Sequence, residues 1–203
     1  VPRTKLDDRI FRAALDRGAT ALEGARAVDV ERDGTGRVTA VVFRIGPDKT
    51  LHTVACNQLV IADGVRSSLG RVLGREWHRE TAYGVAGRSY VKSGRSDDPW
   101  ISSHLELRGE GGAGSPGELL PGYGWIFPLG RAAGEVNLGV GALATAKRPA
   151  DLQIRPLMEY YATLRREEWD LGGELRMPTS ALLPMGGAVS GVAGPNWIVI
   201  GDA

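Results

Sequence analysis

Two short segments of this 203-residue chain place an aspartate beside a glycine directly after an apolar run: Leu59-Val60-Ile61-Ala62-Asp63-Gly64 and Trp197-Ile198-Val199-Ile200-Gly201-Asp202. An ionised carboxylate only accepts hydrogen bonds, so an aspartate at a strand end suits a ribose hydroxyl or a set of backbone N–H groups. The adjoining glycines let backbone approach a diphosphate. Arg66 can neutralise such a group, and Ser67 opens a short helix whose first N–H groups are free to face it. Each turn alone fits equally well a strand-to-helix bend in which Asp caps and Gly turns. Two of them in one chain, separated by a domain-sized insertion, point to a nucleotide cofactor held at one sheet edge.

A second constellation is Pro121-Gly122-Tyr123-Gly124-Trp125-Ile126-Phe127-Pro128, with aromatics at alternate positions. Period two puts Tyr123, Trp125 and Phe127 on one face of a strand. Spacing alone favours an ordinary core stripe; the functional version is the wall of an apolar cavity that packs against an extended hydrocarbon. Leu183-Pro184-Met185-Gly186-Gly187 reads either as a second wall, whose paired glycines admit a flat ring, or as a plain turn. His52, His78 and His104 have no metal-like spacing with each other or with Cys56, so no metal is expected. Neither a Gly-x-Ser-x-Gly elbow nor a Walker phosphate loop occurs, which removes support for hydrolase and nucleoside-triphosphatase readings. No catalytic acid or base stands out, and that poverty fits chemistry carried by a cofactor.

The elements that must position these residues follow from patterning. Residues 4–17 read as a helix with Leu6, Ile10, Ala13 and Ala14 on one face. Strands are expected at 27–30, 38–45 and 51–55, joined by Asp33-Gly34-Thr35-Gly36 and Gly46-Pro47-Asp48, and then at 59–61. The last has no alternation, so it is expected to be buried on both faces, as in a parallel sheet. Ser67 caps a helix through Leu73, and Gly74 ends it. Further strands are expected at 83–91, 100–107, 124–129, 136–143 and 176–183, with one helix carrying Leu157, Tyr160, Tyr161 and Leu164 on a common face. Residues 108–118 read as a Gly-rich loop, and Trp77-His78-Arg79-Glu80 as a surface connection. The fold class is α/β, α+β overall. It comprises a partial FAD/NAD(P)-binding Rossmann-like domain (1–75), an inserted, mostly antiparallel substrate domain (76–195), and a returning strand (196–203).

Composition narrows the function classes. The chain is 42% hydrophobic, and 25 Lys+Arg against 24 Asp+Glu nearly cancel. A nucleic-acid protein would show a basic stripe, so none is expected as a partner. A single cysteine precludes an intramolecular disulfide and fits a reducing, cytoplasmic compartment. No apolar run is long enough to span a bilayer.

The ordered set Arg3-Thr4-Lys5-Leu6-Asp7, Ala62-Asp63-Gly64, Tyr123-Gly124-Trp125-Ile126-Phe127-Pro128, Pro184-Met185-Gly186-Gly187 and Gly201-Asp202-Ala203 spans practically the whole chain. It resembles the geranylgeranyl reductase family of FAD-dependent oxidoreductases, which shares its fold with the para-hydroxybenzoate hydroxylase group. The resemblance implies that Arg3 and the backbone at Ala27 contact FAD, that Asp63 and Gly64 form the second dinucleotide fingerprint, and that Gly201 and Asp202 hold the ribityl side. It implies that Tyr123, Trp125 and Phe127, with Pro184, Gly186 and Gly187, line a cavity for an isoprenoid chain. The implied reaction is reduction of a carbon–carbon double bond in a prenyl chain, here an isoprene unit of the lipid quinone menaquinone, with NAD(P)H as a candidate electron donor. Such a substrate lives in the bilayer, so peripheral contact with the inner face of the cell membrane is expected. The Gly-x-Gly-x-x-Gly turn that opens the fold of the group is absent from the start of the chain, residue 1 is Val, and the chain stops at Ala203. The sequence is therefore expected to be an internal piece of a longer protein, inactive in isolation. Two alternatives stay open: an aromatic monooxygenase or halogenase of the same fold, and a non-catalytic binding module.

Overall fold

The computed structural model describes residues 2–78, 80–112, 117–144 and 153–203. In chain order its elements are α1 (Arg3–Asp16), β1 (Ala25–Arg32), β2 (Val38–Ile45), β3 (Thr50–Ala55), β4 (Leu59–Ile61), α2 (Ser68–Val72), β5 (Glu76–Trp77) and β6 (Tyr83–Ser93), followed by β7 (Ser102–His104), β8 (Gly122–Pro128), β9 (Glu135–Ala144), α3 (Ile154–Leu164), β10 (Leu171–Pro184), β11 (Val189–Ser190) and β12 (Trp197–Val199). The chain divides into two compact units: residues 1–13 with 82–183, and residues 14–81 with 184–203. The class is mixed α/β with mostly antiparallel sheets.

The first unit is built on an antiparallel sheet of order β10-β6-β9-β8-β7. Period-two alternation sorts its residues. On β9, Val136, Leu138, Val140 and Ala142 are buried against α3, and Asn137, Gly139, Gly141 and Leu143 take the other face. Val91, Ile126, Leu157, Met158 and Tyr161 complete this core, with Trp169 and Leu171 beside them. The helix packs closely because Gly124 has no side chain: a Cβ there would stand 2.4 Å from the Tyr161 ring. That fit sets the rotation of α3. Its buried face is Leu157, Met158, Tyr161 and Ala162, whereas Leu164, expected inside, is half exposed. The strand expected over 100–107 shortens to β7, leaving Trp100, Ile101 and Leu105 in solvent. Part of the expected loop (113–116) lies outside the described residues.

The second unit joins a meander to a parallel pair. Strands β1, β2 and β3 form an antiparallel sheet, and the β1–β2 turn is held by Asp33, whose Oδ1 accepts from the backbone N–H groups of Thr35 and Arg37. β12 pairs with β4 in parallel, with Trp197, Ile198 and Val199 opposite Leu59, Val60 and Ile61. The buried side chain of Asn196 ties the two sheets together. Its Oδ1 accepts from Val38 N–H, and its Nδ2 donates to the carbonyls of Val38 and Asn57. Val38, Val41, Ile61, Leu69, Leu73, Trp197, Val199 and Ala203 make the core.

Two expectations change here, and a third segment gains detail. β4 is not buried on both faces: Val60 is 58% and Ile198 46% exposed, because among the described residues nothing packs on that side of the pair. Of the expected surface connection at 77–80, Arg79 lies outside the described residues, and the start of the segment is paired. Glu76–Trp77 pair with Val189–Ser190, and His78 N–H donates to the Ala188 carbonyl. The apolar stripe of α1 is uncovered, with no buried residue in the helix.

Candidate functional site

The parallel register decides where the two aspartate turns meet. Ile61 lies opposite Val199 and Ile200 N–H donates to the Ile61 carbonyl, so both strands deliver their turns to the same carboxyl-terminal edge. That edge is where open α/β sheets hold ligands. Gly64 (φ +77°) and Gly201 (φ +68°) both adopt left-handed backbone that a side chain would strain, and no atom stands within 4 Å of either missing Cβ. The backbone of both turns is thus open to a close ligand. The exposed side chains of Asp202 and Arg66 form no hydrogen bond among the described residues.

Asp63 is less free. Its Oδ2 accepts from the backbone N–H of Ser68 (2.9 Å) and of Leu69 (3.3 Å), and Ser67 Oγ accepts from Gly70 N–H (2.9 Å). The carboxylate therefore caps α2, and ligand binding has to share it. Ser68 Oγ also donates to the Ala27 carbonyl (3.4 Å), so Ala27, Asp63, Gly64 and Arg66 surround the start of α2. Arg3 belongs to the other unit, and its guanidinium is engaged by Asp7 at 2.9 Å, which raises its already high pKa. An acceptor carboxylate at Asp202, a free cation at Arg66 and two open glycine turns suit the ribose and diphosphate of a dinucleotide such as FAD.

Sequence reasoning missed Arg75. It is 8% exposed, and neither Nε nor Nη1 has a hydrogen-bond partner. Its chain packs against Gly70 of α2. Its neighbours Gly74 and Glu76 carry no pattern that signals burial. A cavity of about 380 Å³, lined by Asp33, Arg37, Cys56 and Asn196 among others, lies at the amino-terminal end of the parallel pair, away from the turns.

The aromatic stripe is not core. Ile126 and Gly124 face α3, and Tyr123, Trp125 and Phe127 stand on the opposite face of β8. Ring centroids are 5.7 Å apart for Tyr123–Trp125 and 6.2 Å for Trp125–Phe127, a continuous ridge. Trp125 leans over Gly139, where a Cβ would fall 2.2 Å from the indole, and its Nε1 donates to Asn137 Oδ1 (2.9 Å). Gly84, Ala86, Gly139 and Gly141 floor the strip beside the ridge. Tyr123 is 47% exposed, so the ridge is an accessible apolar surface. Pro184, the last residue of β10, falls in the other unit with Gly186 and Gly187, which lie in a turn closed by Ala188 N–H to the Met185 carbonyl, with open space at both glycines.

A partly buried polar cluster lies on the α3 face of the sheet. Tyr161 Oη and His104 Nδ1 share a hydrogen bond of 2.5 Å, and His104 Nε2 faces Glu168 at 3.7 Å. Burial pushes the Tyr161 phenol up, and it stays protonated. Burial, then the Arg165 charge, holds His104 below its ordinary value in spite of Glu168. The sheet separates this pair from the ridge, so it offers no proton there. Among the described residues no group of three or more His, Cys, Asp or Glu could hold a metal, and no helix is long and apolar enough to cross a membrane.

No protein-family model matches the chain. It is 65% identical over 204 residues to menaquinone reductase of Mycolicibacterium smegmatis, an alignment covering all of this chain and 47% of that protein. The chain thus spans about half the length of the curated relatives it matches. Among solved structures, a geranylgeranyl bacteriochlorophyll reductase-like protein from Thermoplasma acidophilum superposes with a TM-score of 0.71 at 19% identity, covering 98% of this chain and 46% of that one. A flavin-dependent brominase superposes with a TM-score of 0.64 at 18% identity, covering 100% of this chain and 48% of that one.

Proposed function

We propose that the chain belongs to the geranylgeranyl reductase family of oxidoreductases and forms the prenyl-binding sheet and part of the FAD site of a reductase acting on carbon–carbon double bonds of a prenyl chain. The observation that carries this reading is the aromatic ridge of β8, which turns away from the core instead of into it. A ridge of rings beside a floor of glycines offers contact area to a thin, flexible hydrocarbon and no hydrogen bond that would select another ligand. The substrate is an isoprene unit of a lipid quinone, menaquinone, in keeping with what the mycobacterial relative is named for.

Asp202, Arg66 and the open turns at Gly64 and Gly201 would hold the ribose and diphosphate of FAD, with Asp63 and Ala27 fixing the start of α2 beside them. When bound, the flavin is the source of hydride for the alkene, and NAD(P)H is its proposed electron donor. The chain's own contribution is to hold the prenyl chain straight against Trp125 and to keep water from its apolar length. Trp100, Ile101 and Leu105, all strongly exposed, provide a surface for peripheral contact with the bilayer in which the substrate dissolves.

The test is anaerobic. The protein is loaded with FAD, reduced, and mixed with menaquinone while flavin absorbance is followed. Reoxidation with product heavier by two hydrogens supports the reductase. The likeness to a brominase favours one rival, oxygen-dependent hydroxylation or halogenation. Reoxidation only on admitting oxygen, with an oxygenated or halogenated product, would replace the reductase by that rival. Failure of the protein to retain flavin would leave a binding module.

A further inference from the structure

The face that carries the ridge is polar at one end. Strand register aligns Arg88, Gly139, Trp125 and Ser103 in one row across β6, β9, β8 and β7, and Tyr90, Asn137 and Phe127 in the next. In the opposite direction the rows become Ala86, Gly141 and Tyr123, then Gly84 and Leu143, with Leu183 lying 3.5 Å from where a Gly84 Cβ would be. One end of the strip is therefore small and apolar, and the other combines rings, an amide and a cation.

Arg88 is exposed, and its guanidinium stacks over Tyr90 at 5.2 Å from the ring centroid. Stacking occupies the flat face of the group and leaves its edge N–H donors free. Arg88 has no ion pair among the described residues. The acid on this face, Glu135, is held by Arg176 through two bonds of 2.7 Å. Lys92, also exposed, lies opposite Glu135, one same-face step beyond Tyr90.

We infer that Arg88 recognises the head of the prenyl lipid by donating to a ring carbonyl, so that a quinone head lies among Tyr90, Asn137 and Phe127 and the prenyl chain runs along the Ala86–Gly141 floor. This inference rests on the ridge being the prenyl wall. A flat carbonyl-bearing ring matches rings set in one row with the Arg88 guanidinium stacked against one of them. A phosphate head would draw on Lys92 as well.

The test uses the flavin-loaded protein and two ligands: menaquinone, and a linear polyprenyl hydrocarbon with no head group. Binding is read by quenching or shift of tryptophan fluorescence, and turnover by flavin reoxidation. Arg88→Gln is expected to weaken menaquinone binding and raise its KM about tenfold, the size of one lost charge-assisted hydrogen bond, with kcat within about twofold. Hydrocarbon binding stays unchanged, Arg88→Lys recovers part of the loss, and Lys92→Ala changes neither ligand. An equal loss on both ligands, or none on menaquinone, overturns the inference. A Lys92→Ala effect as large as that of Arg88→Gln replaces the quinone by an anionic head. If the parent protein binds menaquinone without reducing it, the reductase reading fails while the binding comparison still decides the role of Arg88.

Discussion

The two sheets that present candidate surfaces differ in how completely they are covered. In the antiparallel sheet, one helix suffices: α3 closes one face over Ile126, Leu138 and Val140, and the other face remains open as a ridge of aromatic rings. The parallel pair β4–β12 is buried on the side of Ile61, Trp197 and Val199 and open on the side of Val60 and Ile198. Antiparallel strands with alternating residues are stable with one wet face, whereas a parallel sheet is ordinarily covered on both. Openness therefore means different things in the two places. On β8 it is matched by rings that point outside, beside outward glycines of β6 and β9, the surface proposed above for the prenyl chain. On β4 it is aliphatic and plain, and the chemistry sits at the strand ends instead.

The contrast can be broken most forcefully in the core. Leu138→Ala, at a fully buried position, is expected to cost about 2–5 kcal/mol, and Val60→Ala less than about 0.5 kcal/mol. Urea unfolding followed by circular dichroism measures both, and a comparable cost at Val60 would mean that face is covered in solution. A smaller effect is expected at the ridge. Gly139→Ala would place a Cβ 2.2 Å from the Trp125 indole and 2.6 Å from the Gly87 carbonyl, displacing the ring at a cost of about 1–3 kcal/mol and weakening prenyl-ligand binding. Gly186→Ala, in open space, should leave stability unchanged, and ligand titration alongside thermal melting separates the two variants.

At the strand ends the two aspartates should part company. Asp63→Ala removes the cap of α2 and is expected to cost about 1 kcal/mol, whereas Asp202→Ala should leave the melting temperature alone and weaken flavin retention in equilibrium dialysis. A stability loss at Asp202 would show a structural role there. The smallest effect concerns pH. His104 has a folded pKa below its unfolded value of 6.5, so the unfolded chain binds the proton more readily. Stability is then full above about pH 6.5 and declines as pH falls from there towards the folded pKa. The melting temperature of His104→Gln should vary less with pH across that window than that of the parent, and parallel curves would discount the burial of His104 as the source.

Local patterning was legible in the residues themselves. Val38–Ile45 and Leu59–Ile61 are strands at the bounds read from the sequence, Ser67 caps α2, and Gly74 turns left-handed behind it at φ +95°. Such features depend on neighbours within a few positions, where propensity and capping act. The candidate residues were legible as well, because aspartate–glycine strand ends and alternating aromatics are patterns of type and spacing. Which face each residue takes was not. Alternation puts Tyr123, Trp125 and Phe127 together but cannot say whether that side is core, and only the approach of Tyr161 to Gly124 settles it. The same limit hid the rotation of α3, the open side of β4 and the burial of Arg75. Period and spacing are properties of one segment, whereas burial is a property of what packs against it. The sequence alone therefore determined the elements and their chemical vocabulary, and tertiary contacts decided which of those residues are buried and which stand open.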